Sequence, residues 1–212
     1  MTRFKYALAP AAAAAFLFLS CGGGPTASGG TGTETGNAFT GRILYQDSTP
    51  AAGVTVRIFP VDFVPLTPSG GISKTTDSNG YYYYGDLGEG RYNVEGLKES
   101  LGVFIDSIMV DRDSSLCRVP GGFMDRLGVI KGATIVPGFS NPNGIRLLVY
   151  FPGTGRLQKP AIGSVFAFDS MPAGPYRIVY DPTLVNYTQQ EFDVNLTAGD
   201  TLVLDTVILT QH

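Results

Sequence analysis

The stretch TDSNGYYYYGDLGEGRY, residues 76–92, decides the fold of this chain. Its opening, Asp77-Ser78-Asn79-Gly80, has the composition of a tight hairpin turn, in which Gly80 supplies a positive φ. Tyr81 to Tyr84 follow as a strand, so successive side chains point to opposite faces. Ring side chains on alternate positions indicate a strand with one buried face. The predicted core residues of this stretch are Tyr82, Tyr84, Leu87 and Tyr92.

The other two rings of the strand, Tyr81 and Tyr83, are expected to point outward. They are the candidate ligand-binding residues, because two exposed rings on one face can stack on a sugar or on a partner protein. Packing against a neighbouring strand is the other interpretation of the same pattern.

A second copy of the pattern lies about 90 residues further on, the kind of internal repeat that defines units of structure. Gly41 and Gly53 are 12 residues apart, and so are Gly132 and Gly144. Counting from Gly90 and its counterpart Gly174 pairs the core rings of the two copies. The predicted core rings of the second copy are Phe166, Phe168 and Tyr176.

Residues 76–92, with the opening Thr40-Gly41-Arg42-Ile43 and the later Gly53-Val54, resemble the carboxypeptidase regulatory-like domain. The resemblance implies a transthyretin-like β-sandwich of about seven strands. It implies no activity, because a fold alone does not specify one. The second copy is degenerate, since Pro160-Ala161-Ile162-Gly163 replaces the Thr-Asp-x-x-Gly turn.

We therefore predict an all-β chain with two tandem Ig-like or transthyretin-like β-sandwiches, residues 38–127 and 128–212. No stretch after the first 20 residues has a convincing helical period. The predicted strands are 39–46, 54–59, 74–76, 81–84, 91–95 and 103–110 in the first unit, and 129–135, 146–151, 163–168, 176–180, 190–196 and 201–209 in the second.

Residues 1–20 have the form of an export signal. Arg3 and Lys5 precede an apolar run, residues 7–19, that is too short to span a membrane. The end of the run, Leu17-Phe18-Leu19-Ser20-Cys21-Gly22, resembles a bacterial lipobox. That resemblance implies cleavage between Ser20 and Cys21 and acylation of Cys21, which would make the lipid bilayer a partner. An ordinary signal cut between Ser20 and Gly24 is the alternative.

Gly22 follows the lipobox cysteine, which by resemblance implies sorting to the outer membrane of a bacterial cell envelope. Residues 21–37 are rich in glycine, serine and threonine and are predicted to be a disordered tether. The second cysteine, Cys117, is expected to be a buried and inert small hydrophobe, with pairing to another molecule as the alternative.

The residues that most enzymes need are scarce. The one histidine is His212, the last residue, so a nucleophile would have no well-placed base. We predict no catalytic residues, no cofactor and no metal site, because Cys117 and His212 cannot supply a zinc cluster. Thr75 to Gly80 distantly resembles a calcium loop, but a hairpin turn suits the segment better.

The formal net charge is −3, and it falls further when a signal carrying Arg3 and Lys5 is removed, which argues against nucleic acid as a partner. The sequence therefore predicts a non-enzymatic surface lipoprotein, a structural or adhesion scaffold that contacts an envelope protein or polysaccharide. The alternative is a carbohydrate- or peptide-binding accessory module.

Overall fold

The structure is a computed structural model that describes residues 37–66, 71–111, 116–135, 147–160, 164–183 and 187–210. The predicted signal, the cleavage site at Ser20 and Cys21, the tether up to residue 36, and His212 all lie outside these residues. One end of the tether is corrected. Asn37 belongs to the first strand, where it pairs with Leu87, because the partner strand extends far enough to reach it.

The first unit contains nine strands and no helix among its described residues. The strands are β1 Asn37–Leu44, β2 Thr55–Pro60, β3 Ile72–Thr75, β4 Tyr81–Leu87, β5 Gly90–Lys98, β6 Leu101–Val110, β7 Cys117–Arg118, β8 Gly122–Phe123 and β9 Asp125–Arg126. They form two sheets. One has the order β4-β1-β7, with β8 also pairing with β1, and the other has the order β3-β2-β5-β6-β9.

The second unit repeats this plan, with eight strands in the part of it that the structure describes. They are β10 Gly128–Ile135, β11 Leu147–Tyr150, β12 Leu157–Gln158, β13 Val165–Met171, β14 Gly174–Pro182, β15 Gln190–Leu196, β16 Thr201–Val203 and β17 Val207–Ile208. One sheet has the order β13-β10-β16, with β17 also pairing with β10, and the other has the order β12-β11-β14-β15. The predicted class of two tandem β-sandwiches is confirmed.

The two units share their strand register. In the first, Gly41 of β1 lies opposite Tyr82 of β4, and a bulge interrupts the pairing near Asn37. In the second, Gly132 of β10 lies opposite Phe166 of β13, with a bulge at the same place. In both units the ring covers the glycine, and a Cβ on either glycine would collide with it. A large ring and a bare backbone position are therefore matched in each core.

Each unit has its own hydrophobic core between its sheets. The first is built around Tyr84, Phe39 and Ile43, and the second around Phe168, Phe151 and Tyr180. Edge-to-face ring contacts run through both, such as Phe39 against Tyr82 and Phe166 against Phe168. The first core draws on residues between 39 and 124, and the second on residues between 130 and 209.

The units are joined by more than the connecting chain. The segment after β11 crosses onto the outer face of the first unit, where the Gly153 amide donates to the Phe63 carbonyl (2.8 Å) and the Asn93 amide donates to the Gly153 carbonyl (3.1 Å). Beside it, the rings of Phe104 and Tyr176 are 4.7 Å apart. These contacts explain why Asn93 is buried although its side chain faces away from its own core.

A charged pair lies in the same junction. The Arg156 guanidinium, which follows β11, donates to one oxygen of Glu95 on β5 through Nη2 (2.6 Å) and Nε (3.2 Å). The Glu95 side chain is 4% exposed and that of Arg156 is 21% exposed. Arg156 also donates to the Ser170 carbonyl (2.9 Å), so one side chain links three segments of the two units.

Several short strands differ from the sequence prediction. β7, β8, β9 and β12 have two residues each, too few to leave a periodic pattern in the sequence. The predicted last strand, residues 201–209, is divided into β16 and β17, because the residues between them do not pair with β10 along the whole stretch. Cys117 is fully buried as expected, but it belongs to a disulfide rather than carrying the inert thiol that was expected. Among the described residues, no helix is long and apolar enough to cross a membrane.

Candidate functional site

The turn before β4 is fixed by its own polar side chains. One carboxylate oxygen of Asp77 accepts the backbone N–H groups of Asn79 (2.8 Å) and Tyr81 (2.9 Å). Gly80 has a φ of +77°, and a side chain there would strike the Ile43 carbonyl. The neighbouring Thr76 hydroxyl donates to the Ala51 carbonyl and accepts the Val54 amide. The turn therefore sets the register of the strand that follows.

This register places the four tyrosines of β4 alternately on the two faces of the sheet. Tyr82 and Tyr84 are buried, at 3% and 1% exposed, whereas Tyr81 and Tyr83 are 47% and 52% exposed. The Tyr84 hydroxyl donates to the Val56 carbonyl (2.7 Å). Burial raises the pKa of Tyr82 and Tyr84 above the ordinary range.

One of the two exposed tyrosines, Tyr81, lies beside a cation. Arg42 is directly opposite Tyr81, and its guanidinium carbon is 5.2 Å from the centroid of that ring. Arg42 also donates from Nε to the Asn79 carbonyl (3.0 Å). Thr40 is directly opposite Tyr83, and on its other side Thr40 pairs with Arg118 of β7.

We call Arg42, Tyr81, Tyr83 and Arg118 the tyrosine–arginine face. It is the outer surface of the sheet whose inner surface covers the first core. Neighbouring strands lie about 4.8 Å apart, so Tyr83 and Arg118 are separated by about 10 Å across β1. The face combines stacking surface with cationic hydrogen-bond donors.

The other residues that the sequence singled out lie inside the units. Leu87 is buried in the first core, and Tyr92 packs half-buried at its edge, where its hydroxyl donates to the Gly88 carbonyl (2.9 Å). Phe166, Phe168 and Tyr176 are buried in the second core. The Tyr176 hydroxyl donates to the Pro172 carbonyl (2.8 Å), and burial raises its pKa above the ordinary range. These residues support the two sandwiches rather than a surface site.

The segment that distantly resembles a calcium loop, Thr75 to Gly80, uses its oxygen atoms in hydrogen bonds of the turn. Asp77 accepts two backbone donors, and Thr76 is a buried part of the strand network. Within the ranges that the structure describes, no group of three or more histidine, cysteine, aspartate or glutamate side chains is close enough to hold a metal ion.

Neither arginine of the face was predicted from the sequence. Tyr81 and Tyr83 follow from alternation along one strand, but Arg42 and Arg118 reach them only through cross-strand pairing. Arg42 precedes Tyr81 by 39 residues, and Arg118 follows Tyr83 by 35. No local pattern in the sequence joins residues at such separations.

Comparison with known proteins gives no family. No family model matches the chain, and no curated protein matches it significantly. Among solved structures, a streptococcal ancillary pilin aligns with 85% of this chain and 64% of its own length, at 13% identity and a TM-score of 0.36. The chain thus spans just under two thirds of that pilin.

Two further structures have similarly low scores. GBS52, a minor pilin of Streptococcus agalactiae, aligns with 83% of this chain and 96% of its own, at 11% identity and a TM-score of 0.38. The shaft pilin SpaA of Lactobacillus rhamnosus GG aligns with 84% of this chain and 98% of its own, at 8% identity and a TM-score of 0.31. Likenesses at this level do not indicate what this chain binds.

Proposed function

We propose that this chain is a non-enzymatic scaffold of the bacterial cell envelope, anchored in the outer membrane by acylated Cys21. The observation that carries the proposal is the junction of the two units, in which Arg156 is paired with buried Glu95 and Phe104 is stacked on Tyr176. Two sandwiches coupled in this way would act as a stiff spacer, in which the surface of one unit is held at a fixed distance from the other unit. The glycine-rich residues 22–36 would let that body stand off the membrane.

The anchoring is supported by the sequence of the N-terminus. An apolar run that is too short to span a membrane ends at Ser20-Cys21. One acyl chain holds a protein only marginally, so two or more chains on Cys21 would be needed for stable anchoring. The chain has two cysteines, so acylation of Cys21 requires Cys117 to be a free thiol or to pair with another molecule, in place of the disulfide that the structure gives it.

The test is mass spectrometry of the N-terminal peptide from the membrane fraction of expressing cells. The expected peptide begins at Cys21 and carries diacylglycerol on sulfur and an acyl group on nitrogen. The Cys21→Ser variant should lose the lipid and leave the membrane fraction, and a sucrose gradient should place the lipidated protein with outer-membrane markers. A Cys21 found in a disulfide, or a mature chain that begins elsewhere, contradicts the proposal.

A second candidate function is an accessory module that binds a carbohydrate or a peptide through the tyrosine–arginine face. The observation in its favour is the exposure of Tyr81 and Tyr83, about half of each side chain, on one side of one strand. Glycan and peptide arrays test it, with the Tyr81→Ala/Tyr83→Ala double variant compared with the parent chain. Val165→Ala is the matched control, because Val165 is 80% exposed at the position equivalent to Tyr81. Array signals that are the same in the parent and the double variant would exclude this face.

A further inference from the structure

The tyrosine–arginine face of the first unit can be compared, position by position, with the outer face of the equivalent sheet in the second unit. Arg42 pairs with Tyr81 in the first unit as Ala133 pairs with Val165 in the second. By the same register Ala167 stands in the place of Tyr83, and Val203 in the place of Arg118. The same sheet thus forms with no aromatic ring and no arginine at these four positions.

The tyrosine–arginine face is therefore not a requirement of the fold. The one cation of the corresponding row in the second unit is Lys131, which stands where the first unit has Thr40. Exposed rings also cost solubility, since they place apolar surface in water. The contact of the Arg42 guanidinium with the Tyr81 ring contributes stability, but the second sandwich forms without it, so binding is the further explanation to test.

The face carries a charge opposite to that of the whole chain. Arg42 and Arg118 are both outside the ion pairs of the described residues, which join Arg156 to Glu95 and Arg177 to two carboxylates of β15. Two carboxylates lie at the ends of β4. Asp77 is occupied by turn amides, and Asp86 is exposed at the far end of the strand. A guanidinium has five N–H donors, and the structure gives Arg42 one acceptor, the Asn79 carbonyl.

The kind of partner is limited by the strand pairing. β1, at the centre of the face, is hydrogen-bonded to β4 on one side and to β7 and β8 on the other. β4 is the edge strand of this sheet, so a peptide added as a strand would pair with the edge of β4, beside the tyrosine–arginine face and not on top of it. A partner that covers the face itself must stack on the rings and offer anionic groups to the arginines.

We propose that the tyrosine–arginine face binds an acidic polysaccharide, with pyranose rings packed on Tyr81 and Tyr83 and carboxylates bound by Arg42 and Arg118. This inference rests on the accessory-module function proposed above and names its ligand class. A pyranose ring offers an apolar C–H face to a tyrosine ring, and a carboxylate matches the paired donors of a guanidinium. The separation of Tyr83 from Arg118, about 10 Å, suits a ligand that crosses several strands.

The test uses three polymers with the full chain in detergent: polygalacturonate, the same polymer fully methyl-esterified, and poly-L-glutamate. Isothermal titration should show binding of polygalacturonate that weakens as salt rises, and no binding of the other two. Arg118→Gln should weaken the affinity about tenfold because it removes a charge-assisted hydrogen bond, and Tyr83→Ala should weaken it about tenfold because it removes a ring on which the sugar packs. Val165→Ala and Val203→Ala, the matched changes in the second unit, should leave it within about twofold of the parent.

The other outcomes separate this inference from the function on which it rests. Equal binding of the esterified polymer refutes the acidic ligand but keeps a carbohydrate-binding module. Binding of poly-L-glutamate alone reassigns the face to an acidic peptide. Binding of polygalacturonate that survives both first-unit variants refutes the location. Binding of none of the three polymers overturns the acidic-polysaccharide assignment, and empty glycan and peptide arrays would in addition remove the accessory-module function. Because the substituted side chains are exposed, unchanged melting temperatures are expected and confirm that each variant is folded.

Discussion

Arg156 and Glu95 form a buried ion pair, and removing the charge of Arg156 should lower the free energy of unfolding more than removing any other single charge. The carboxylate is 4% exposed and accepts two guanidinium N–H groups, at 2.6 and 3.2 Å. Arg156→Met removes the cation and leaves Glu95 charged among packed side chains. Breaking a buried pair in this way costs about 3–5 kcal/mol, and the partial exposure of Arg156 places the expectation near 3 kcal/mol.

Urea denaturation followed by tyrosine fluorescence measures this cost as a change in the free energy of unfolding. Arg177→Ala is the control, because that arginine pairs with Glu191 and Asp193 while 59% exposed, and loss of a surface pair costs at most about 1 kcal/mol. The double variant Glu95→Leu/Arg156→Met should recover most of the loss, since no charge is then left without its partner.

The comparison of variants decides the matter. If Arg156→Met costs no more than Arg177→Ala, the carboxylate of Glu95 is not buried in solution and the two units do not meet as the structure shows. If Glu95→Leu/Arg156→Met loses as much stability as Arg156→Met alone, the unpaired carboxylate of Glu95 is not the source of the effect. Either result would remove the junction as support for a stiff spacer.

Three further predictions concern the cores and can be checked by thermal or urea unfolding. Tyr84→Phe should lower stability by about 1 kcal/mol, because the Tyr84 hydroxyl donates to the Val56 carbonyl. Tyr82→Phe should be neutral or stabilising, because the described residues offer the buried Tyr82 hydroxyl no hydrogen-bond partner. Equal losses of stability in the two variants would contradict this prediction. Gly132→Ala should cost about 1–3 kcal/mol, since its Cβ would lie 2.5 Å from the Phe166 ring, and a melting temperature equal to the parent's would refute the packing. Burial raises the pKa of Tyr180 to about 12 and that of Tyr82 further. The contribution of these two neutral rings to the free energy of unfolding is therefore complete below pH 10 and is lost as pH rises through the folded pKa, at about 1.4 kcal/mol per pH unit for each ring. An ultraviolet titration in which every tyrosine ionises near pH 10 without unfolding would contradict this prediction.

The fold class could be predicted because alternation and turn composition are local. Alternation leaves two choices for which pair of the four consecutive tyrosines is buried, and the repeat, which has rings only at Phe166 and Phe168, selects Tyr82 and Tyr84. The junction could not be predicted in this way. Asn93 and Glu95 occupy outward positions of β5, and the sequence alone does not show that the segment from Gly153 to Arg156 covers them.

Two of the four residues of the candidate site could be predicted from the sequence, because alternation along one strand is a local pattern. Tyr81 and Tyr83 are defined by their own strand, but Arg42 and Arg118 join them through the pairing of β1 with β4 and β7. Pairing between distant segments depends on the whole sandwich. A parallel contact such as Thr40 with Arg118 has no local signature, because the two residues are joined by most of the first unit.

The internal repeat separates what the sandwich needs from what this chain could use. Inside, the units obey one rule: a ring on β4 or β13 covers a glycine on β1 or β10, as Tyr82 covers Gly41 and Phe166 covers Gly132. On the outer faces the two units share no such pattern, and of the described residues only those of the first unit place tyrosines and arginines together on this face. A core must be filled without cavities, so the core residues of the two units are constrained in the same way. An outer face is constrained only by solubility and by its partner, so the difference between the two faces directs the search for a ligand to the first unit, with the second unit as the natural control.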